Sequence, residues 1–315
     1  MTGPILLTGA GGDIGISIAR CLHDAFPEAM IVGADCKSDN PGKAFFDTFS
    51  ILPRADDPSW LPSLKTLIKE HGARFVLPLA EAELSVLMRQ GLLQTNIETA
   101  RIISPNHKAV QTGLDKLLTN NVLLEAGIEV PESGLVGDAD PGDYDVVIKP
   151  RSGQGSKGIA IVSRGSFDAI KSARSGDLWQ RYLSDADAEY TCGIARFPAM
   201  DTRVISFRRK LAGGLTGSGS VNSLPELERL GERVADVLKL RGAVNMQLRM
   251  SMGKPLIFEI NPRFSSTVGF RHKLGYRDVI WSLKDALGEG IESYEPPVAG
   301  TRIYRVAEEV ILPPI

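Results

Sequence analysis

Residues 243–263 do most to narrow the folds open to this chain. Two stretches of alternating side chains, 243–250 and 256–263, flank the turn-forming Ser251-Met252-Gly253-Lys254-Pro255, the pattern of an antiparallel hairpin. Centring the turn on Gly253 sets Gln247 opposite Glu259. Because side chains alternate between faces, Val244, Met246, Leu248, Met250, Leu256, Phe258 and Ile260 make one apolar face, expected in the core. The other face carries Asn245, Gln247, Arg249, Ile257, Glu259 and Asn261, with Arg263 just beyond. Such a face is either solvated surface or a functional wall. A solvated face usually favours Lys, Thr and Glu, whereas here amide and carboxylate oxygens pair across two strands. Hard oxygens with few charges suit Mg²⁺ when phosphates and water complete its shell. The planar fork of Arg263 suits phosphoryl oxygens.

The first hundred residues have a different rhythm. Apolar runs at 5–8, 30–35, 75–79 and 101–104 alternate with helical patterns at 14–26, 61–71 and 83–90, which predicts a parallel sheet with crossover helices. Gly9-Ala10-Gly11-Gly12-Asp13-Ile14-Gly15 joins the first strand to the first helix, and Asp35 ends the second strand at the offset of a ribose-binding acid. The loop is therefore either a dinucleotide site or merely the tight turn of a doubly wound domain. None of Tyr144, Tyr182, Tyr190, Tyr276, Tyr294 or Tyr304 has Lys four residues on, so a dehydrogenase or epimerase lacks its acid/base pair. Glu81 and Glu83 follow the 75–79 strand at a crevice position, where Glu83 could equally complement a helix dipole.

Helices are further predicted over 108–127, 166–174 and 225–240, the last with Leu227, Leu230, Val234 and Leu238 on one face. A second glycine loop, Gly153-Gln154-Gly155-Ser156-Lys157-Gly158, lies between strands at 146–150 and 159–162. In that hairpin context no helix dipole holds a phosphate; backbone N–H groups, Ser152, Ser156 and Lys157 would have to do so. A plain glycine-rich turn is the competing reading. Lys149, a cation ending an apolar strand four residues earlier, favours the phosphate flap.

With 36 Lys+Arg against 38 Asp+Glu and no basic run, a nucleic-acid or anionic-membrane surface is not expected. No apolar stretch approaches a spanning helix and no leader pattern opens the sequence, so a cytoplasmic protein is expected. Cys21, Cys36 and Cys192 form no C-x-x-C pair, and the four histidines form no H-E-x-x-H pair, which argues against disulfides and zinc.

Taken together, Lys116, Lys149, the 152–158 flap, Gln247 and Glu259-Ile260-Asn261-Pro262-Arg263 resemble the ATP-grasp superfamily, most closely a carbamoyl-phosphate-synthase-type ATP-binding unit or a small carboxylate–amine ligase. The resemblance implies α/β plus α+β architecture: a Rossmann-like pre-ATP-grasp domain at 1–105, then a two-lobed ATP-grasp domain with antiparallel sheets, an ATP lobe at 106–178 and a metal and catalytic lobe at 179–315. It implies that Lys116, Lys149, Ser152, Gly153, Gly155, Ser156 and Gly158 meet the phosphates of ATP. Gln180, Arg181 and Leu183 would read adenine, with Glu189 as the ribose acid. Gln247, Glu259 and Asn261 would hold Mg²⁺ or Mn²⁺, and Arg263 with Asn261 would act at the transferred phosphoryl group. Arg181 departs from the family, which often has an acid there. A carbamoyl-phosphate synthase has two such halves, and this chain has one.

The implied reaction is an ATP-dependent ligation of a small-molecule carboxylate to an amine through an acyl phosphate, releasing ADP and phosphate, with no side-chain nucleophile. Acceptor specificity is expected from Ser265, Ser266 and Thr267, from Arg271, His272 and Lys273, and from Arg208, Arg209 and Arg305. A homodimer is expected only from the commonness of twofold assemblies. The rivals are an NAD(P)-dependent oxidoreductase or epimerase built on Gly9–Gly15, and a nucleotide-binding module without turnover.

Overall fold

A computed structural model describes residues 3–153, 158–184 and 188–312. The N-terminal unit is built from β1 (Ile5–Thr8), α1 (Asp13–Ala25), β2 (Ile31–Asp35), β3 (Thr48–Ile51), α2 (Trp60–His71), β4 (Phe75–Pro78), α3 (Glu81–Arg89), β5 (Asn96–Ile97) and β6 (Ala100–Ile102). Its sheet runs β3-β2-β1-β4-β6-β5, parallel except for the terminal β5–β6 pair. Strand β3 escapes the sequence pattern because it is an edge strand whose side chains are half-buried or exposed, so no alternation marks it.

After this unit the helix expected over 108–127 is two helices, α4 (His107–Leu114) and α5 (Lys116–Glu125). The break is chemical: Asp115 is extended, and its carboxylate accepts from the N–H groups of Leu117 and Leu118, capping α5. Lys116 thereby becomes the first residue of a helix instead of one position along a longer one.

A small sheet follows, ordered β7-β10-β8-β9 from β7 (Ser133–Leu135), β8 (Val146–Lys149), β9 (Ala160–Val162) and β10 (Leu178–Arg181). Its helix α6 covers Arg164–Ile170, shifted two residues N-terminal to expectation and shorter. The β8–β9 pair is the anticipated hairpin. Since β10 pairs with both β7 and β8, residues 179–181 sit in the small sheet, although the sequence reading placed them in the following lobe.

The large antiparallel sheet, ordered β15-β14-β11-β12-β13-β16, comprises β11 (Glu189–Phe197), β12 (Met200–Ala212), β13 (Leu215–Asn222), β14 (Gly242–Ser251), β15 (Lys254–Asn261) and β16 (Arg302–Tyr304). Helix α7 (Pro225–Val237) lays Leu227, Leu230 and Val234 against Val244, Met246, Leu248 and Ile260. Helices α8 (Val268–Lys273) and α9 (Asp278–Leu287) share a second core with Ile5, Leu7 and Leu77 of the N-terminal sheet and Phe197 and Phe207 of the large one. That common core fixes the N-terminal unit against the large sheet.

The hairpin β14–β15 pairs Gln247 with Glu259 and Asn245 with Asn261, as the sequence implies. Between there and the turn the register slips by one residue: Leu248 pairs with Ile257, and Phe258 is the extra residue of a bulge. A one-residue slip exchanges faces. Ile257, expected on the polar face, is fully buried in the α7 core, and Phe258, expected in the core, lines the cleft described below. No helix among the described residues is long and apolar enough to cross a membrane.

Candidate nucleotide-binding cleft

A cleft of about 730 Å³ lies between the small and large sheets. Lys149, the last residue of β8, is buried and its Nζ donates to the Gln180 Oε1 (3.0 Å) and the Phe258 carbonyl (3.1 Å), both neutral oxygens. Burial, with a smaller contribution from Lys116, pushes its ammonium down to about 8 against the pull of Glu259. Lys116 Nζ donates to the Gly153 carbonyl at 2.9 Å, fastening α5 to the start of the glycine hairpin. Arg151 forks onto the Asp115 carboxylate that caps the same helix. Ser152 and Gly153 line the cleft; Gly158, with φ +74°, offers its carbonyl to Arg174. Gly155 and Ser156 lie outside the described residues.

At the other end the chain leaves β10 through Arg181, Tyr182 and Leu183, all on the cleft wall. The backbone N–H groups of Arg181 and Tyr182 donate to Glu132 and Asp145 carbonyls, and the Arg181 guanidinium stacks 5.0 Å over the Tyr144 ring. Ile159, Ile161, Leu183, Leu211 and Leu215 give this end an apolar lining suited to a base.

On the large sheet, Arg209, Glu189 and Arg249 stand side by side on β12, β11 and β14, with Gln247 diagonal to them. Arg209 donates from Nε and Nη2 to Glu189 Oε1 (2.9 and 2.6 Å) and from Nη2 to Gln247 Oε1 (2.8 Å). Arg249 donates to Glu189 Oε2 at 2.7 Å. Sequence reasoning treated Arg209 as an acceptor-loop candidate and gave Arg249 no role; the signal was their shared parity with Glu189 and Gln247, legible only once the strand order is known.

Toward the N-terminal unit, Asn261 Nδ2 lies 3.4 Å from Glu259 Oε2, and Arg263 Nη2 lies 3.3 Å from Asn261 Oδ1 and 3.4 Å from Glu81 Oε1. Burial raises the Glu81 carboxyl above its usual range despite Arg263, and Glu259 adds to the rise. Ser265 and Ser266 reach the cleft wall. Arg271 does not. It is buried beneath β11, ion-paired with Asp278 (2.7 Å) and bonded to Ser265 and Thr267, where a Cβ on Gly193 would crowd it at 2.8 Å. Arg271 thus braces the 265–267 loop. His272 is likewise buried, its ring 2.8 Å from Asp24 of α1. Arg305 ties the same loop to the N-terminal unit through the Ser266 carbonyl and Asp13.

The residues present fit a nucleotide and a hard cation. Gln180 Nε2 and Arg263 Nε are buried donors with no hydrogen-bond partner among the described residues, and Lys149 is a buried cation on neutral oxygens. Among the described residues no cluster of three or more His, Cys, Asp or Glu could hold a metal. A carboxylate with two side-chain amides is the donor set Mg²⁺ accepts when phosphates supply the remaining oxygens. The Gln247 and Asn261 oxygens already face arginines, and each keeps a second lone pair.

The glycine loop of the N-terminal unit offers no comparable site. Asp35 Oδ2 accepts from the Gly11 N–H at 2.9 Å, so the loop itself uses the acid that a dinucleotide ribose would need. Asn40 packs so closely on Gly11 that a Cβ there would meet its side chain at 2.9 Å.

Comparison with known proteins agrees with this geometry. Residues 5–101 match the family described as PylC-like, N-terminal domain, and residues 114–267 match the ATP-grasp domain. Cyanophycin synthetase from Geminocystis herdmanii is 27% identical over 169 residues, a match spanning 50% of this chain and only 19% of that relative. The ADP complex of N5-carboxyaminoimidazole synthetase from Staphylococcus aureus superimposes with a TM-score of 0.72 at 15% identity, covering 96% of this chain and 80% of that one. Biotin carboxylase from Campylobacter jejuni gives 0.69 at 14% identity, covering 92% and 72%. With its parallel N-terminal sheet, its two antiparallel sheets and the cleft between them, the chain has the ATP-grasp fold, with an ATP-grasp domain at residues 114–267 behind a PylC-like N-terminal domain at 5–101.

Proposed function

We propose that the chain is an ATP-dependent carboxylate–amine ligase. The observation that carries this reading is the convergence of Lys116 and Lys149 with Gln247, Glu259, Asn261 and Arg263 on one cleft that also has an apolar end. ATP would lie with its base against Leu183 and Leu215 and its phosphates toward Lys149 and Lys116. Gln247, Glu259 and Asn261 would hold Mg²⁺, which neutralises phosphoryl oxygens when bound.

A carboxylate oxygen of the substrate attacks the terminal phosphorus and ADP leaves. The amine nitrogen then attacks the acyl carbon, loses a proton, and phosphate leaves. The protein supplies position and charge. Arg263, held by Glu81 and Asn261, faces the charge developing at the phosphoryl and later tetrahedral centres. Lys149 binds phosphate in its charged form, and phosphate in turn favours that form. The 265–267 loop, braced by Arg271 and Arg305, lines the acceptor end. Substrates of this size need no macromolecular partner, and a cytoplasmic location is in keeping with the use of ATP.

The test is ADP release with Mg-ATP against pooled carboxylic acids and amines, omitting each half in turn, with Glu259→Gln as the blank. Release that requires one acid and one amine and vanishes in the variant supports the reading. Tight Mg-ATP binding without release across a broad pool favours a non-catalytic clamp instead.

A further inference from the structure

The row Arg209–Glu189–Arg249 does more than balance charge. Glu189 is 11% exposed and opens onto the cleft between the apolar base slot and the cationic end, where the sugar of a bound nucleotide must pass. Each of its oxygens is held by a different arginine, Oε1 by Arg209 and Oε2 by Arg249. Arg249 also reaches the chain that lines the base slot: its Nη1 donates to the Ser184 carbonyl at 2.6 Å, with the Leu183 carbonyl at 3.4 Å. Arg209 extends the row the other way, to Gln247. One polar chain therefore runs from the base-binding segment through the carboxylate to the metal-side amide.

Resting on the nucleotide reading of this cleft, we propose that Arg249 and Arg209 are positioning residues that set Glu189 to accept hydrogen bonds from the ribose hydroxyls, making the site selective for ribonucleotides. Arg209 occupies Oε1 with two bonds, whereas the one bond from Arg249 leaves Oε2 a further lone pair, so the arginines fix the carboxylate and leave Oε2 as the acceptor for the sugar. A carboxylate held from one side only would rotate away. The hinge carbonyls anchored by Arg249 would shift with it, so the base and sugar contacts would loosen together.

The experiment is calorimetric titration of the whole chain with Mg-ATP, Mg-2′-deoxy-ATP and Mg-3′-deoxy-ATP, for the wild type, Arg249→Met, Arg209→Met, Glu189→Gln and the Arg249→Met/Glu189→Gln pair. Wild type should prefer ATP over a deoxy form by about tenfold, the scale of one well-made hydrogen bond to a charged group. Each arginine variant should bring that ratio toward one, and the paired variant should discriminate no worse than Glu189→Gln alone, because both act through the same carboxylate. Should Arg249→Met melt early, Arg249→Lys carries the same expectation, since one ammonium cannot reproduce the fork.

Equal weakening toward all three nucleotides would mean a merely structural ion pair and would overturn the proposal. So would wild-type binding without sugar preference. Failure of the wild type to bind any nucleotide would instead overturn the nucleotide reading itself, and this inference with it.

Discussion

Arg263 and Glu81 meet at 3.4 Å across the end of the cleft, joining the segment just beyond β15 of the large sheet to the start of α3, which follows β4 of the N-terminal unit. Both side chains are nearly buried, so the carboxylate is the local counter-charge to the guanidinium. Glu81→Gln should lower kcat by about 10–100-fold, as for loss of a partner that orients a functional group, with little change in KM for ATP. Steady-state kinetics under saturating acceptor checks this, and an unchanged kcat would remove Glu81 from the site.

Glu259→Gln should reduce Mg²⁺-dependent turnover by at least about 100-fold, the cost expected for a first ligand of the ion or a major electrostatic group. Its melting temperature should stay near wild type because the side chain faces the cleft. Activity at wild-type level would exclude Glu259 from metal binding.

The bulge in β15 separates two neighbouring side chains. Ile257 is fully buried, so Ile257→Ala should cost about 2–5 kcal/mol in urea denaturation. Phe258→Ala should cost less than about 2 kcal/mol, since its ring is already half on the cleft, and should instead raise KM for ATP. The reverse order of stabilities would place the bulge elsewhere.

Lys149 gives the site a pH signature. Its folded value, about 8, lies below the ordinary 10.5, so the empty protein loses this proton early and gains relative stability as pH rises through that interval. Phosphate binding requires the charged form, so ATP affinity should fall as pH rises above about 8. Titrations between pH 7 and 9.5 should show this slope in the wild type (roughly tenfold per unit once the free form is deprotonated) and a flat, weaker profile in Lys149→Met.

Glu83 titrates for a structural reason. Buried, and accepting from the Thr8 hydroxyl and the Ala80 N–H, its carboxyl is pushed up to about 7. The raised value means the folded state holds the proton more tightly, so this contribution is full below the ordinary 4.5 and is lost as pH rises through about 7. Glu83→Gln should flatten that part of the stability profile and gain on the order of 1 kcal/mol at pH 8. A denaturation series across pH 5–8 decides it.

Much of the architecture was legible because it follows from periodicity and turn chemistry. The alternation of 243–263 fixed a hairpin and the Gln247–Glu259 pairing, and the helical and apolar runs before residue 105 implied the parallel sheet. Where local signals are silent the reading stopped short. Asp115 carries a cap signal inside a stretch of good helix formers, so one helix was read where two exist. Phe258 and Ile257 are both apolar and strand-forming, and only packing against α7 decides which is buried.

The sequence by itself determined most of the strands and helices of the first hundred residues, the hairpin that carries Gln247, Glu259 and Asn261, and the placing of Lys149 at the end of a strand that leads into a β8–β9 hairpin, since each depends on residues close along the chain. Tertiary structure alone decided that Arg209, Glu189 and Arg249 form one row, that Glu81 meets Arg263, and that Arg271 is a buried brace instead of a substrate contact. Strand order and domain packing bring these side chains together from 60 to 182 residues apart where Arg249 meets Glu189 and Arg263 meets Glu81. Charge carries no local period that would reveal such partners; burial and geometry select them once the sheets have assembled.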